Sequence, residues 1–210
     1  MNIRSAMHTA LMALSVAALV PQAQANEGQY VKPEAGQAES GKADPAKILV
    51  YISPEEYKHP IKLWHFYYSY WFEQGELVES AATNVLGNAY GDVGMCEGNK
   101  AGNTLVWLRP SMFYNPHMRT FYGKVTAFVY SGSGKPLGTF VGESQKTGWL
   151  DVQPARSIES TYALAIENLV GKLKADAALQ TVITQGIPAN ETLTPCSMVT
   201  VLPMSKTPAM

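Results

Sequence analysis

The stretch TLVWLRPSMFYNPHMRTFYGKVTAFVYSGSGKPLGTFVGESQK, Thr104 to Lys146, reads as three successive β-strands. They are Thr104–Leu108 running on toward Tyr114, then Arg119–Tyr130, then Leu137–Ser144. Between the second and third lies Ser131-Gly132-Ser133-Gly134-Lys135-Pro136, a glycine-rich turn flanked by β-branched and aromatic residues, which is a hairpin signal. Alternation along the second strand separates two faces. Phe121, Gly123, Val125, Ala127 and Val129 form an apolar face, and Thr120, Tyr122, Lys124, Thr126, Phe128 and Tyr130 a mixed one. A sheet with one apolar face needs a cover, and the helical patterns on either side in sequence supply it.

Upstream, Gln74–Tyr90 places Leu77, Val78, Ala81, Ala82, Val85, Leu86 and Ala89 at three- and four-residue spacing, the stripe of an amphipathic helix ended by Gly91 and Gly94. Downstream, Pro154 opens a second helix, Ala155–Leu173, with the stripe Ile158, Tyr162, Ala165, Ile166, Leu169, Val170 and Leu173. Ala177, Leu179, Val182 and Ile183 extend that pattern weakly until Gly186 and Pro188 stop it. Ile48–Ile52 is a short apolar strand. Asp92–Asn103 reads as a polar loop carrying Cys96, and Val199–Val201 as an edge strand. The expected fold is α+β: a mainly antiparallel sheet in the order β-(β)-α-β-β-β-α, with two helices packed on one face. Residues 48–185 make the single domain, and 186–210 an extended C-terminal tail.

The N-terminus predicts export. Arg4, the apolar run Ala10–Val20 and the small-x-small site Ala23-Gln24-Ala25 make Met1–Ala25 a signal peptide cleaved after Ala25. Asn26–Lys47 (NEGQYVKPEAGQAESGKADPAK) has Tyr30 as its one aromatic residue and reads as a flexible linker. Net charge is −1 over 210 residues, with no basic stripe, so nucleic acid is not an expected partner. Past the signal, no apolar run approaches membrane-spanning length. The two cysteines, Cys96 and Cys196, fall in the exported part. An oxidising compartment favours a disulfide that pins the tail, closing a loop of about 100 residues.

The order of Thr104–Leu108, Arg119–Tyr130, the Ser131–Pro136 turn, Leu137–Ser144 and Ala155–Leu173 resembles small bacterial envelope accessory domains. These include YajG-like and curli-secretion-type lipoproteins and the N-terminal domain of the Tol–Pal propeller protein. The resemblance covers roughly Ile48–Leu173 and lies in layout rather than in a signature motif. It implies an envelope setting. The chain departs from many such proteins in having no lipid-anchor cysteine beside Ala25, so a soluble periplasmic location is expected.

Signals for chemistry are few. Gly132-Ser133-Gly134-Lys135 fails as a phosphate loop, because Val129 and Pro136 stand where a glycine and a Ser or Thr are needed. No G-x-S-x-G elbow and no H-E-x-x-H occurs. His59, His65 and His117, with Glu55, Glu56 or Asp92, carry no metal-ligand spacing, so neither a metal nor another cofactor is expected. The unusual composition is Ile61–Phe72 (IKLWHFYYSYWF). Read as one strand, it puts Trp64, Phe66, Tyr68, Tyr70 and Phe72 on one face and Leu63, His65, Tyr67, Ser69 and Trp71 on the other. Arg109-Pro110 and Met112-Phe113-Tyr114-Asn115-Pro116 read as a bulky, proline-bounded connection, either a contact patch or a satellite core. Ile61–Phe72 is either an aromatic contact surface or a core strand whose tyrosine hydroxyls reach the surface. As a surface, it gives the candidate binding residues Trp64, Tyr68, Tyr70 and Trp71, joined by Phe113 and Tyr114. Three functional readings follow. The first is an accessory or assembly protein without catalysis that contacts an envelope protein. The second is a small-ligand or glycan module with a pocket of Trp64, Tyr68 and Tyr70. The third is a hydrolase whose histidines meet a serine or carboxylate only in space.

Overall fold

The computed structural model describes residues 46–186, 188 and 190–202. The expected signal peptide, the linker up to its last two residues, and residues 203–210 of the tail lie outside them. The fold is α+β. A five-stranded sheet runs in the order Val93–Met95, Ala46–Ile52, Gly102–Asn115, Thr120–Ser131, Pro136–Thr147, and a separate two-stranded ribbon pairs Pro60–His65 with Tyr68–Glu73. The long strands are β5 (Gly102–Asn115), β6 (Thr120–Ser131) and β7 (Pro136–Thr147). They pair antiparallel from Thr104↔Ser131 to Asn115↔Thr120 and from Thr120↔Thr147 to Tyr130↔Pro136. β1 (Ala46–Ile52) and β4 (Val93–Met95) complete the sheet in parallel pairings, β1 lying between β4 and β5. Parallel neighbours require a crossover. The chain between β1 and β4 supplies it with α1 (Pro54–Lys58), β2 (Pro60–His65), β3 (Tyr68–Glu73) and α2 (Gly75–Tyr90).

The apolar face of β6 carries the core. Phe121, Val125, Ala127 and Val129 are buried there with Ile158, Tyr162, Ala165, Ile166 and Leu169 of α3 (Pro154–Ala175), while α2 packs beside α3 over β1 and β4. Helix α3 comes so close to β7 that a Cβ on Gly142 would overlap the Ala165 carbonyl oxygen and lie 2.8 Å from Leu169 Cβ. The buried Tyr162 hydroxyl donates to Gln74 Oε1 at 2.6 Å, which satisfies a polar group that would otherwise destabilise the core by about 1–3 kcal/mol. At the outer edge of the sheet, Lys172 Nζ donates to the Val141 carbonyl at 2.5 Å, and the Glu143 N–H donates to Asn168 Oδ1 at 3.3 Å. After α3, the weak extension is a separate helix, α4 (Ala177–Gln185), capped by Asp176 Oδ1 on the Leu179 N–H at 3.0 Å.

The opposite face is covered at one end by the C-terminal segment. Cys96 and Cys196 form a disulfide with their Cα atoms 5.3 Å apart. It fastens a second small core in which Leu49, Leu105, Phe128, Tyr130 and Val199 are buried, which explains why the mixed face of β6 ends in two aromatic residues. The expected edge strand at Val199–Val201 is instead a 3-10 helix, Cys196–Val201. Its bonds are local, Met198 N–H to Pro195 at 3.0 Å and Leu202 N–H to Val199 at 3.1 Å, because the disulfide holds it over the sheet face rather than beside a strand.

Three further expectations are corrected. Part of the Asp92–Asn103 loop forms β4, three residues long and too short for its alternation to show. Arg109–Asn115 is the distal half of β5 rather than a connection. Pro110 is accommodated because β1 pairing ends at Leu108 and leaves that stretch of β5 without β1 beside it. Finally, Ile61–Phe72 is not one strand but the β2–β3 hairpin.

Candidate functional site

The hairpin turns at Phe66-Tyr67, with His65 opposite Tyr68 and Pro60 opposite Glu73. Phe66 takes φ 43°, a left-handed conformation that costs an L-residue about 1–2 kcal/mol. Neither turn residue is the Gly, Asn or Asp that two-residue turns favour, so nothing local announces the reversal. The two-residue turn also inverts parity: even-numbered residues of β2 lie opposite odd-numbered residues of β3. One face therefore carries Lys62, Trp64, Ser69 and Trp71, and the other Ile61, Leu63, His65, Tyr68, Tyr70 and Phe72.

Burial separates these two faces. Leu63, 1% exposed, anchors the hairpin in the main core, with Ile61, Tyr70 and Phe72 half-buried around it and the Tyr70 and Phe72 rings stacked at 6.3 Å. Burying one leucine stabilises the hairpin by about 1.5–3 kcal/mol. The outward face is open: Trp64 is 48% and Trp71 60% exposed, and Lys62 Nζ sits 5.6 Å from the Trp71 ring centroid.

The six candidate binding residues thus divide. Trp64 and Trp71 share the exposed face, and Tyr68 is exposed at the tip. Tyr70 points the other way and packs on the core. Tyr114, 1% exposed, is a core residue: its ring lies 4.6 Å from Phe121, its hydroxyl donates to the Gly148 carbonyl at 3.2 Å, and burial pushes its phenol pKa up. Phe113 is 61% exposed and pairs with the Tyr122 ring at 6.0 Å on the uncovered sheet face, beside the Lys124–Glu143 ion pair of 3.6 Å. The pocket required by a small-ligand module does not form, since Trp64 and Tyr70 lie on opposite faces of the hairpin.

Two of the histidines sit among aromatic rings. His65 contacts the rings of Phe66, Tyr70 and Tyr114 at 5.0–6.3 Å, and His117 contacts Phe66 at 5.2 Å. Both touch the aromatic tip directly through Phe66, and among the described residues neither is hydrogen-bonded to a serine or carboxylate. His59 is exposed beside Glu55 and Lys58, and Glu56 is engaged by Arg109 Nε at 3.0 Å. No group of three His, Cys, Asp or Glu among the described residues is placed to hold a metal ion.

Sequence reasoning missed the gathering of apolar side chains at one end of the domain. The ring contact between Phe66 and His117 joins the hairpin tip to the β5–β6 turn. Arg119 joins that turn to the β7–α3 loop: its guanidinium lies 4.2 Å from the Trp149 ring centroid, and its carbonyl accepts from Gly148 N–H at 2.8 Å. Nine of the twelve large hydrophobic side chains exposed among the described residues belong to the hairpin, to Phe113 and Met118, or to that loop. The signal was present as isolated exposed residues in three turns, but only the fold brings the turns together.

No protein-family model matches the chain. No curated protein matches it either. Among solved structures, a PelC dodecamer from Paraburkholderia phytofirmans is 15% identical over 59% of this chain and 89% of its own, with a TM-score of 0.36. A PelC variant from the same organism gives 17% identity, 60% and 89% coverage and a TM-score of 0.37. A candidate lipoprotein from Caulobacter crescentus is 10% identical over 66% of this chain and 91% of its own, at a TM-score of 0.33. Similarity of that size assigns neither activity nor assembly to this chain.

Proposed function

We propose that the protein is an exported, non-catalytic accessory or assembly factor of a bacterial envelope that holds a protein partner against the outward face of the β2–β3 hairpin. One observation carries the reading: two tryptophans, Trp64 and Trp71, stand exposed on the same face of a ribbon whose other face is anchored in the core. Trp side chains on a rigid support are the usual energetic centre of a protein interface, each worth about 2 kcal/mol or more when buried by a partner. Lys62 beside Trp71 adds a cation at the rim. The signal peptide expected at Met1–Ala25 and the Cys96–Cys196 disulfide support an oxidising, exported setting.

The test is affinity capture of the exported chain from crosslinked periplasm and membranes, beside Trp64→Ala/Trp71→Ala, with thermal melts confirming that both fold. The expected result is a discrete envelope protein that rebinds the purified wild type and binds the double variant about 1,000-fold more weakly. The same captured set with both chains would refute the assignment of this face.

A further inference from the structure

We propose that the end of the domain formed by the Phe66-Tyr67 turn, the β5–β6 turn and the β7–α3 loop seats on the surface of an anionic lipid bilayer. The proposal rests on the envelope reading above but uses different residues from the tryptophan face of the hairpin. Turns at the end of a sheet usually carry Gly, Asn, Asp, Ser or Pro. Here the three turns present Phe66, Tyr67, Met118, Trp149 and Val152 to solvent, with Tyr67 93% exposed.

Their arrangement bears on what covers them. Each turn contributes one or two projecting side chains, joined laterally through the Phe66–His117 ring contact at 5.2 Å and the Arg119–Trp149 stack at 4.2 Å. Small ligands take concave sites. A set of projecting tips suits a surface that yields around them, as the headgroup layer of a bilayer does. The residue types agree. Trp and Tyr, with an apolar body and a polar edge, settle at membrane interfaces, and Arg and Lys reach headgroup phosphates from just outside the apolar layer. Arg119 lies among the tips and the exposed Arg156 stands just past the β7–α3 loop, against Asp151 as the one acid within the three turns; Lys146, before that loop, is held by Ser160 Oγ at 2.5 Å. That balance favours anionic over zwitterionic lipid. No helix among the described residues is long and apolar enough to cross a membrane, so the contact inferred is peripheral.

The experiment is flotation of the purified exported chain with vesicles of phosphatidylethanolamine and phosphatidylglycerol, and with vesicles of phosphatidylcholine alone. Tryptophan quenching by lipids brominated on the acyl chain is read in parallel. The tip variant Phe66→Gly/Tyr67→Ser/Trp149→Ser should fold, because its side chains are exposed and glycine relieves the positive φ at Phe66. Expected are binding to the anionic vesicles, shallow quenching, and a partition coefficient about tenfold or more lower for the tip variant. Trp64→Ala/Trp71→Ala should retain vesicle binding. No flotation of the wild type overturns the proposal, as does equal flotation of the folded tip variant. So does a tip variant that still floats but loses a captured protein, which would make this end a protein interface. Flotation intact with no captured partner would instead overturn the partner reading alone.

Discussion

Replacing both cysteines, Cys96→Ala/Cys196→Ala, should remove a large part of the domain's stability. The bridged residues are separated by 100 positions, and the loop between them contains β5, β6, β7, α3 and α4. Untying a loop of that length releases about 4.7 kcal/mol of denatured-state entropy in the chain-entropy model, and residual structure in the unfolded chain lowers the yield. Both cysteines also pack in the small core with Phe128 and Tyr130, so truncation to alanine adds some lost contact. The net expectation is a loss of about 3–5 kcal/mol, or roughly 10 °C in melting temperature for a domain of this size. Urea denaturation followed by tryptophan fluorescence and far-ultraviolet circular dichroism measures it, with coincident transitions required. Limited proteolysis should then cut the segment ahead of Cys196, which detaches once its anchor is gone. A loss below about 1 kcal/mol with the tail still protected would refute the reasoning. Local contacts such as Cys196 N–H to Lys100 at 2.9 Å would then be what holds the segment down.

Two further outcomes are expected. Gly142→Ala forces a methyl group into the Ala165 carbonyl and against Leu169, so α3 must retreat from β7. A destabilisation of about 1–3 kcal/mol or more follows, read by thermal melting, whereas Gly171→Ala, with open space around its Cβ, should be neutral or stabilising. Stability should also fall at alkaline pH. The hydrogen bond to Glu79 holds the Tyr57 phenol up at about 12 against an ordinary 10, and burial raises Tyr51, Tyr90, Tyr114, Tyr130 and Tyr162. The folded state keeps protons that the unfolded state releases, so this contribution is complete below pH 10 and is lost from there upward, through pH 12 for Tyr57. Urea midpoints measured across that range should decline, and Tyr57→Phe should flatten part of the slope.

What the sequence announced were the elements whose pattern is long enough to be read and agrees with their environment. The β6 alternation, the Ser131–Pro136 turn and the stripes of α2 and α3 all appear where their spacing puts them. Elements set by tertiary context were hidden. β4 exists because β1 offers it an edge, and β1 itself lies parallel to β5, a pairing that depends on the whole crossover between them. The hairpin was hidden for a sharper reason: a turn made of Phe66 and Tyr67 contradicts local turn chemistry, and the error reassigned every side chain beyond it to the wrong face. Tyr114 looked like a contact residue because Phe113 and Tyr114 are chemically alike. Alternation along β5 sends one to solvent and the other into the core. The exposed end was the least legible feature, since its three turns are distant in sequence and meet only through the sheet.

The outer edge of β7 bears on solubility. A twelve-residue strand with no neighbour on one side is a template on which another chain's backbone can add, and such edges seed aggregation when left bare. Here Lys172 and Asn168 occupy the Val141 carbonyl and the Glu143 N–H with side chains, in the middle of the strand where an added strand would need both. The same helix that closes the core thus spoils the register for a stranger. A chain that carries exposed aromatic rings at one end has this strand edge already occupied from within.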